Sequence, residues 1–184
     1  MYFAFTIVVK KRYVGIDEEN NIVGIGIELK RSDWCNLSKK VLKDVINQIL
    51  IYDADNESII NYLNSVYHNL RNYDINDFIL SKIVDVNKTY KVKNTIVKAW
   101  INKYKYEKNN NEYKLIAPHN EHLFGISYIF SQRGGVPVII TADNKYKTLI
   151  DYDFYFKKQI LPPVERLLSA INFTINGQKS LFSF

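Results

Sequence analysis

Lys10-Lys11-Arg12-Tyr13, closing an apolar run, and Gly26-Ile27-Glu28-Leu29-Lys30-Arg31-Ser32-Asp33-Trp34 are the stretches on which the reading of this chain turns. The first sets three cations and an aromatic ring at the end of a β-rich segment. The second passes from β-rich residues into a helix entry. Residues 6–16 and 22–29 are both β-rich, and Asp17-Glu18-Glu19-Asn20-Asn21 between them is a run of polar turn formers, so the spacing predicts a hairpin. From Asp33 the period changes. Trp34, Leu37, Val41, Leu42, Val45, Ile46, Ile49 and Leu50 fall on one helical face, with Lys39, Lys40 and Lys43 on the other. Asp33 is a candidate N-cap there, with Arg31 as its ion-pair partner.

Further along, the Asp53 to Asn56 segment is a turn able to cap a second helix, striped by Ile59, Ile60, Leu63, Val66, Tyr67 and Leu70. Asp74-Ile75-Asn76-Asp77 connects to a strand-like run over residues 78–84. A third helix is predicted over 94–105, with Ile96, Val97, Trp100, Ile101 and Tyr104 inward. Residues 108–112 read as a loop with nothing to bury. Short strands follow over 113–117, 123–130 and 136–141, with Arg133-Gly134-Gly135 turning the chain. Asp151 opens a last helix in which Pro162-Pro163 forces a kink or restart, because proline lacks a donor and crowds the preceding turn.

The 184 residues suffice for an ordinary core, and 47% hydrophobic content excludes a disordered tail. A net charge of +6 favours a polyanion, nucleic acid before an anionic membrane surface, although surplus lysine also describes a plain solvated surface. Cys35 is the single cysteine, which excludes an internal disulfide and a multi-cysteine zinc site. It reads as a partly buried small residue of the first helix. The apolar start, Met1 to Val9, is too short to span a bilayer, and its positive charges follow the apolar run instead of preceding it. The expectation is a cytoplasmic protein without a membrane partner.

In order and spacing, these stretches resemble the palm-to-thumb junction and thumb of archaeal family B DNA polymerases. The Lys-Lys-Arg-Tyr run, the hairpin and Gly26 to Trp34 come first. Tyr90-Lys91 resembles the family's Glu-Tyr-Lys, and Gly125 to Phe130 its Gly-Tyr-Ile-Val strand. Tyr155, Lys158-Gln159-Ile160-Leu161-Pro162 and Arg166-Leu167-Leu168 resemble its final thumb helix. The resemblance implies an α+β fold: a short N-terminal β-hairpin with the last palm strand over residues 1–29, a mostly helical thumb with a small β insertion over 30–171, and a tail over 172–184.

The resemblance also implies a DNA contact. The family's Lys-x-Tyr pair maps onto Lys11 and Tyr13, able to reach a phosphate or the minor groove of newly formed duplex without reading its sequence. Lys10 and Arg12 alternate to the other face, solvated or touching phosphate. Lys30 and Arg31 meet phosphates near the helix entry, unless Arg31 pairs with Asp33. Tyr90, Lys91 and Lys93, with Lys98, form a second basic-aromatic cluster near a helix start, or a solvated face. There the family's Pro-His-Val is Thr95-Ile96-Val97, so the histidine's contact is missing. In the tail, Gln178, Leu181 and Phe184 fit the Gln-x-x-aliphatic-x-x-aromatic pattern of peptides that dock on sliding clamps, without its second aromatic. An apolar tail packing on its own domain is the alternative.

The family's Tyr-Gly-Asp-Thr-Asp palm motif does not occur in these residues. Asp53 and Asp55, and Asp151 and Asp153, read as helix-capping acids. His119, Glu121 and His122 read as surface residues before a metal site. The expectation is therefore the small subunit of a split polymerase, inactive alone and holding no cofactor. A large subunit with palm, fingers and exonuclease would carry magnesium; primer-template DNA and the sliding clamp would be the other partners. The alternatives are a stand-alone DNA-binding accessory protein that recruits the clamp, and an unrelated basic α+β interaction module.

Overall fold

A computed structural model describes residues 2–9, 12–19, 21–25, 28–91, 93–119, 122–132, 134–140 and 144–170. In chain order the elements are β1 (Tyr2–Val9), β2 (Arg12–Asp17), β3 (Ile22–Ile25), α1 (Asn36–Leu50), α2 (Asn56–His68), β4 (Leu80–Asp85), β5 (Thr89–Lys91), α3 (Thr95–Trp100), β6 (Tyr106–Asn109), β7 (Glu112–Leu115), β8 (Leu123–Ser131), β9 (Val136–Ile139), α4 (Tyr152–Tyr155), a π-helical turn (Phe156–Ile160) and α5 (Leu161–Ala170). The fold is α+β, as the sequence led us to expect. Among the described residues no helix is long and apolar enough to cross a membrane. The chain divides into two compact units: one runs to Tyr73 and resumes at Phe156, the other is Asp74–Tyr155.

In the first unit, β1, β2 and β3 form an antiparallel sheet in that order. Val9 stands opposite Arg12, and Tyr13 lies between Ile7 and Ile25. The single β-rich run expected over 6–16 is thus two antiparallel strands, β1 ending at Val9 and β2 starting at Arg12, because adjacent lysines in the sequence break the apolar alternation. The polar turn formers make the second bend. There the Asp17 carboxylate accepts from the backbone N–H groups of Glu19 (3.0 Å) and Asn21 (2.8 Å). β3 stops at Ile25, and Glu28–Lys30 form a 3₁₀ turn where strand was expected.

Helix α1 begins later than expected. Cys35 holds the N-cap position and is buried, as a small residue can be, but its side chain caps nothing. Its N–H donates to Gln159 Oε1 at 3.2 Å. Asp33 is not the cap, because Arg31 has engaged its carboxylate. Helix α2 starts where the sequence placed it, with the Asp55 side chain accepting from the Ser58 N–H at 2.9 Å. The core joins Leu37, Val41, Leu42, Val45 and Ile46 of α1 to Ile59, Leu63 and Val66 of α2. Val14 and Ile16 of β2 and Val164, Leu167 and Leu168 of α5 complete it. Tyr62 donates to Asp44 Oδ2 at 2.7 Å across α1 and α2, and burial drives its phenol well above the usual range.

The sequence predicts a kink or restart at Pro162-Pro163, and just before them the helix widens into a π-helical turn from which α5 starts at Leu161. In a regular helix residue 163 would donate to the Gln159 carbonyl, and proline has no N–H to give. The Ser38 hydroxyl of α1 donates to that carbonyl at 2.5 Å. Gln159 therefore joins α1 to the last helix with both its side chain and its backbone.

In the second unit, two three-stranded antiparallel sheets have the orders β4-β8-β9 and β5-β7-β6. Two of these strands were not foreseen. Residues 108–112, expected to be a loop, contain the two-residue Asn110-Asn111 turn that pairs β6 with β7, with Asn110 at φ 52°. Asparagine tolerates that left-handed conformation, so the run is a hairpin signal. The third helix stops at Trp100 rather than running to 105. The Trp100 indole N–H donates to the Lys105 carbonyl at 2.9 Å, which holds the chain in a reversal. The glycine turn is as expected, with Gly134 and Gly135 at φ 72° and 69°; a Cβ on Gly135 would meet the Phe154 ring at 2.2 Å.

Tyr155 anchors this unit. Its ring is fully buried against Phe78 and Phe130. Its hydroxyl donates to the Phe78 carbonyl at 2.6 Å and accepts from the Phe130 N–H at 3.1 Å. The bond to Phe78 is buried and that from Phe130 is part-buried. Tyr155→Phe is expected to lower unfolding free energy by about 1–3 kcal/mol, read from urea denaturation of the full chain. An unchanged midpoint would show that the two backbone groups find other partners.

Candidate nucleic-acid interface

In sequence, the basic run at residues 10–13 follows β1 and runs into β2. Lys10 and Lys11 lie outside the described residues. Arg12 opens β2, and Tyr13 follows it, half-buried, between strands on both sides. The next bend of the same sheet, at Asp17, is held by the hydrogen bonds described above. Chief among them, the Asn21 N–H keeps the Asp17 carboxyl below the usual carboxylate range. This bend is acidic.

The segment after β3 carries Lys30 and Arg31. The 3₁₀ turn is closed by the Arg31 N–H donating to the Glu28 carbonyl at 3.2 Å. Arg31 grips Asp33 with two prongs, Nε to Oδ1 at 3.0 Å and Nη2 to Oδ2 at 2.6 Å. The Asp33 carboxylate holds the guanidinium above its ordinary value. Of the two expectations for Arg31, the ion pair is therefore the one seen here. Its side chain stays half exposed, so the fork is accessible from solvent while Asp33 occupies it.

Behind this turn stands an arrangement that sequence reasoning missed. Glu28 is only 4% exposed, and its Oε1 accepts from Arg166 Nη1 of α5 at 2.7 Å. Arg166 Nε donates to the Pro162 carbonyl at 3.0 Å, and the guanidinium lies 5.1 Å from the centre of the Trp34 ring. The signal in the sequence was an acid among apolar and basic residues at 26–31 and an arginine within the last apolar stripe. Nothing in the spacing pairs positions 28 and 166.

The second cluster, Tyr90, Lys91 and Lys93, is not one patch. In the β5-β7-β6 sheet Tyr90 stands opposite Tyr113, and Lys91 opposite Glu112. Adjacent strand residues point to opposite faces, so Tyr90 shares the buried side with Tyr113 while Lys91 is exposed. The Tyr90 hydroxyl is engaged by Asp85, donating to its carbonyl and accepting from its N–H, each at 3.0 Å. On the exposed face Lys91 and Glu112 are neighbours, as are Lys114 and Glu107, so charges of both signs alternate there. Lys93 is exposed in a turn, and the N-terminus of α3 is capped by the Asn94 side chain. His119 and His122 are exposed, and Glu121 lies outside the described residues. Among the described residues, no three His, Cys, Asp or Glu side chains gather closely enough to hold a metal. Gln178, Leu181 and Phe184 also lie outside the described residues.

Comparison with known proteins gives a consistent result. The model of DNA polymerase family B matches residues 1–171. The DNA polymerase of Archaeoglobus fulgidus is 26% identical over 215 aligned positions, covering 100% of this chain and 25% of the relative. That of Pyrococcus horikoshii is 28% identical over 184 positions, covering 90% of this chain and 13% of the relative. Among solved structures, the family B DNA polymerase of the hyperthermophilic archaeon Pyrobaculum calidifontis shares the fold, with a TM-score of 0.64 at 20% identity. That likeness covers 96% of this chain and 22% of the other. The chain spans a quarter or less of the length of these polymerases.

Proposed function

This chain belongs to DNA polymerase family B, and from that premise we propose that it is the thumb-bearing part of such an enzyme, gripping primer-template duplex during synthesis. What supports the proposal is the membership of the family together with the run Lys10-Lys11-Arg12-Tyr13 in the sequence, of which Arg12 and Tyr13 open the central strand of the β1-β2-β3 sheet. Cations grouped in one run bind phosphate by releasing condensed counterions, and a tyrosine beside them offers a hydroxyl and a flat face to the sugar-phosphate wall. Both act on groups common to every sequence, as a polymerase's hold on its product requires.

We assign Lys11 and Tyr13 the main contact, with Lys10, Arg12, Lys30 and Arg31 supporting it. Arg31 would exchange the Asp33 carboxylate for a phosphate, since both suit its fork. Lys91 and Lys93 have a lesser part, because Glu112 opposes Lys91. Tyr90 acts through its bonds to Asp85. In this reading the catalytic carboxylates, and the two magnesium ions that activate the primer hydroxyl and stabilise the leaving phosphates, belong to a partner chain with palm, fingers and exonuclease. The 184 residues would add grip and no chemistry. We further propose that Gln178, Leu181 and Phe184 dock on a sliding clamp, the aliphatic and aromatic residues filling one apolar pocket.

Lys11→Ala is expected to weaken duplex binding equally across sequences and to flatten the dependence of log affinity on log salt by about one unit. Fluorescence anisotropy with several unrelated duplexes at graded salt reads both; unchanged affinity would remove Lys11 from the interface. Deleting residues 178–184 is expected to abolish clamp-stimulated primer extension by the assembled enzyme and leave basal extension intact. Full stimulation without those residues would refute the clamp assignment.

A further inference from the structure

We infer that the solvent face of α1, carrying Lys39, Lys40 and Lys43, is a second surface on which this chain meets the phosphates of duplex DNA. The inference rests on the proposed grip on duplex and adds three residues to which the resemblance assigned no contact.

The charge on α1 runs against the helix. Backbone dipoles favour acids at the start of a helix and cations at its end. Helix α1 has no acid in its first turn and no cation in its last, and its three lysines fall within its first eight residues. Lys39 and Lys43 are four positions apart, and Lys40 and Lys43 three, so like charges are neighbours on the helix surface, which destabilises it. The next helix of the same unit keeps the rule: α2 has the Asp55 cap and Glu57 in its first turn and His68 in its last. A rule broken in one helix and kept in its neighbour marks a functional surface.

The nearby acids do not relieve the charge. Asp33 and Asp44, the closest in sequence, are engaged by the Arg31 fork and by the Tyr62 hydroxyl. Among the described residues, no carboxylate pairs with Lys39 or Lys43. Lys40 and Lys43 are exposed, between Asn36 and Asn47 on one face, with Lys39 half-buried at its flank. Leu37, Val41, Leu42, Val45 and Ile46 occupy the buried face.

The composition of the outward face selects the partner. Protein interfaces are built around aromatic and apolar residues and are poor in lysine. Every large apolar side chain of α1 is buried or half-buried, and the first exposed one, Ile51, lies beyond its end. What α1 offers to solvent is lysine and asparagine, with Asp44 already engaged. Flexible ammonium groups beside amide donors suit a wall of phosphates that is the same for every sequence. Lys39 and Lys43 lie about 6 Å apart along the axis, close enough for one strand to meet both.

Duplex binding by the full 184-residue chain is measured by fluorescence anisotropy at graded salt, with several unrelated duplexes. The natural sequence is compared with Lys39→Gln/Lys43→Gln, with Lys11→Ala, and with Lys105→Gln/Lys114→Gln, which removes the same charge from exposed positions of the other unit. Thermal unfolding of each is followed in parallel. Lys39→Gln/Lys43→Gln is expected to weaken binding several-fold on every duplex and to flatten the salt slope by about two units. Its unfolding midpoint should stay level or rise, because the repelling charges are gone. Lys105→Gln/Lys114→Gln should keep the slope within about half a unit of the natural one. An unchanged slope in Lys39→Gln/Lys43→Gln, with Lys11→Ala still weakened, would overturn the inference and leave the grip standing. An equal loss in Lys105→Gln/Lys114→Gln, or lost binding accompanied by a lower unfolding midpoint, would also overturn it. Absence of salt-dependent binding by the natural sequence would be the failure of the gripping function, and this inference would fall with it.

Discussion

The first unit depends on one ion pair made across 138 positions of sequence, between Glu28 and Arg166. A carboxylate 4% exposed is costly unless its charge and lone pairs are met. Here they are met by an arginine that is itself held by Pro162 and Trp34. A hydrogen bond of this charged kind contributes about 1.5–3 kcal/mol, and it also fixes direction. It joins the 3₁₀ turn that precedes Arg31 to α5. Gln159 repeats the design nearby, meeting the Cys35 N–H with its side chain and the Ser38 hydroxyl with its carbonyl. The first links the 3₁₀ turn to α5 and the second links the start of α1 to the π-helical turn before α5, and neither half of the unit can make them alone. Pro162-Pro163 belongs to the same design, because it leaves the Gln159 carbonyl open to a partner outside its own helix.

How much of this was legible varies with how local the cause is. Helices α1 and α2 were readable because a 3.6-residue stripe and an aspartate cap are local signals, and Asp55 caps α2 as its position implies. The entry to α1 was misjudged because two sequence-compatible roles competed for Asp33, and the fork of Arg31 won over the open N–H groups of a helix end. The third helix was drawn too long because Trp100, Ile101 and Tyr104 keep helical spacing. What ends it is the indole N–H reaching Lys105, a contact that exists only after the chain has turned. Strand β6 was hidden since all of its residues are exposed, so no apolar alternation marks it; the only sign was asparagine at the bend.

The candidate interface shows the same division. The Lys10 to Tyr13 run is visible in any reading, whereas Tyr90-Lys91 looks like a patch in sequence and is split by the pleat between a buried and an exposed face. Alternation alone would have revealed this, had β5 been recognised as a strand. The charge pattern across β5, β7 and β6 was beyond reach, since it depends on a register that sets Glu112 opposite Lys91. Glu28 and Arg166 each stood inside a quoted motif, and only the folded chain shows that they are one device.

Taken together, these features describe a family B polymerase segment in which Arg12 and Tyr13 open the central strand of a three-stranded sheet and α5 holds the turn at Glu28. The claim at the centre is that this segment works as part of a larger polymerase by gripping duplex. The direct test is the native mass of the 21.6 kDa chain purified from its own host, with primer extension assayed on the same fraction. The account predicts a complex several times heavier that extends primers and loses that activity when this chain is removed. A lone chain in a fraction that extends no primer and binds no duplex would contradict it.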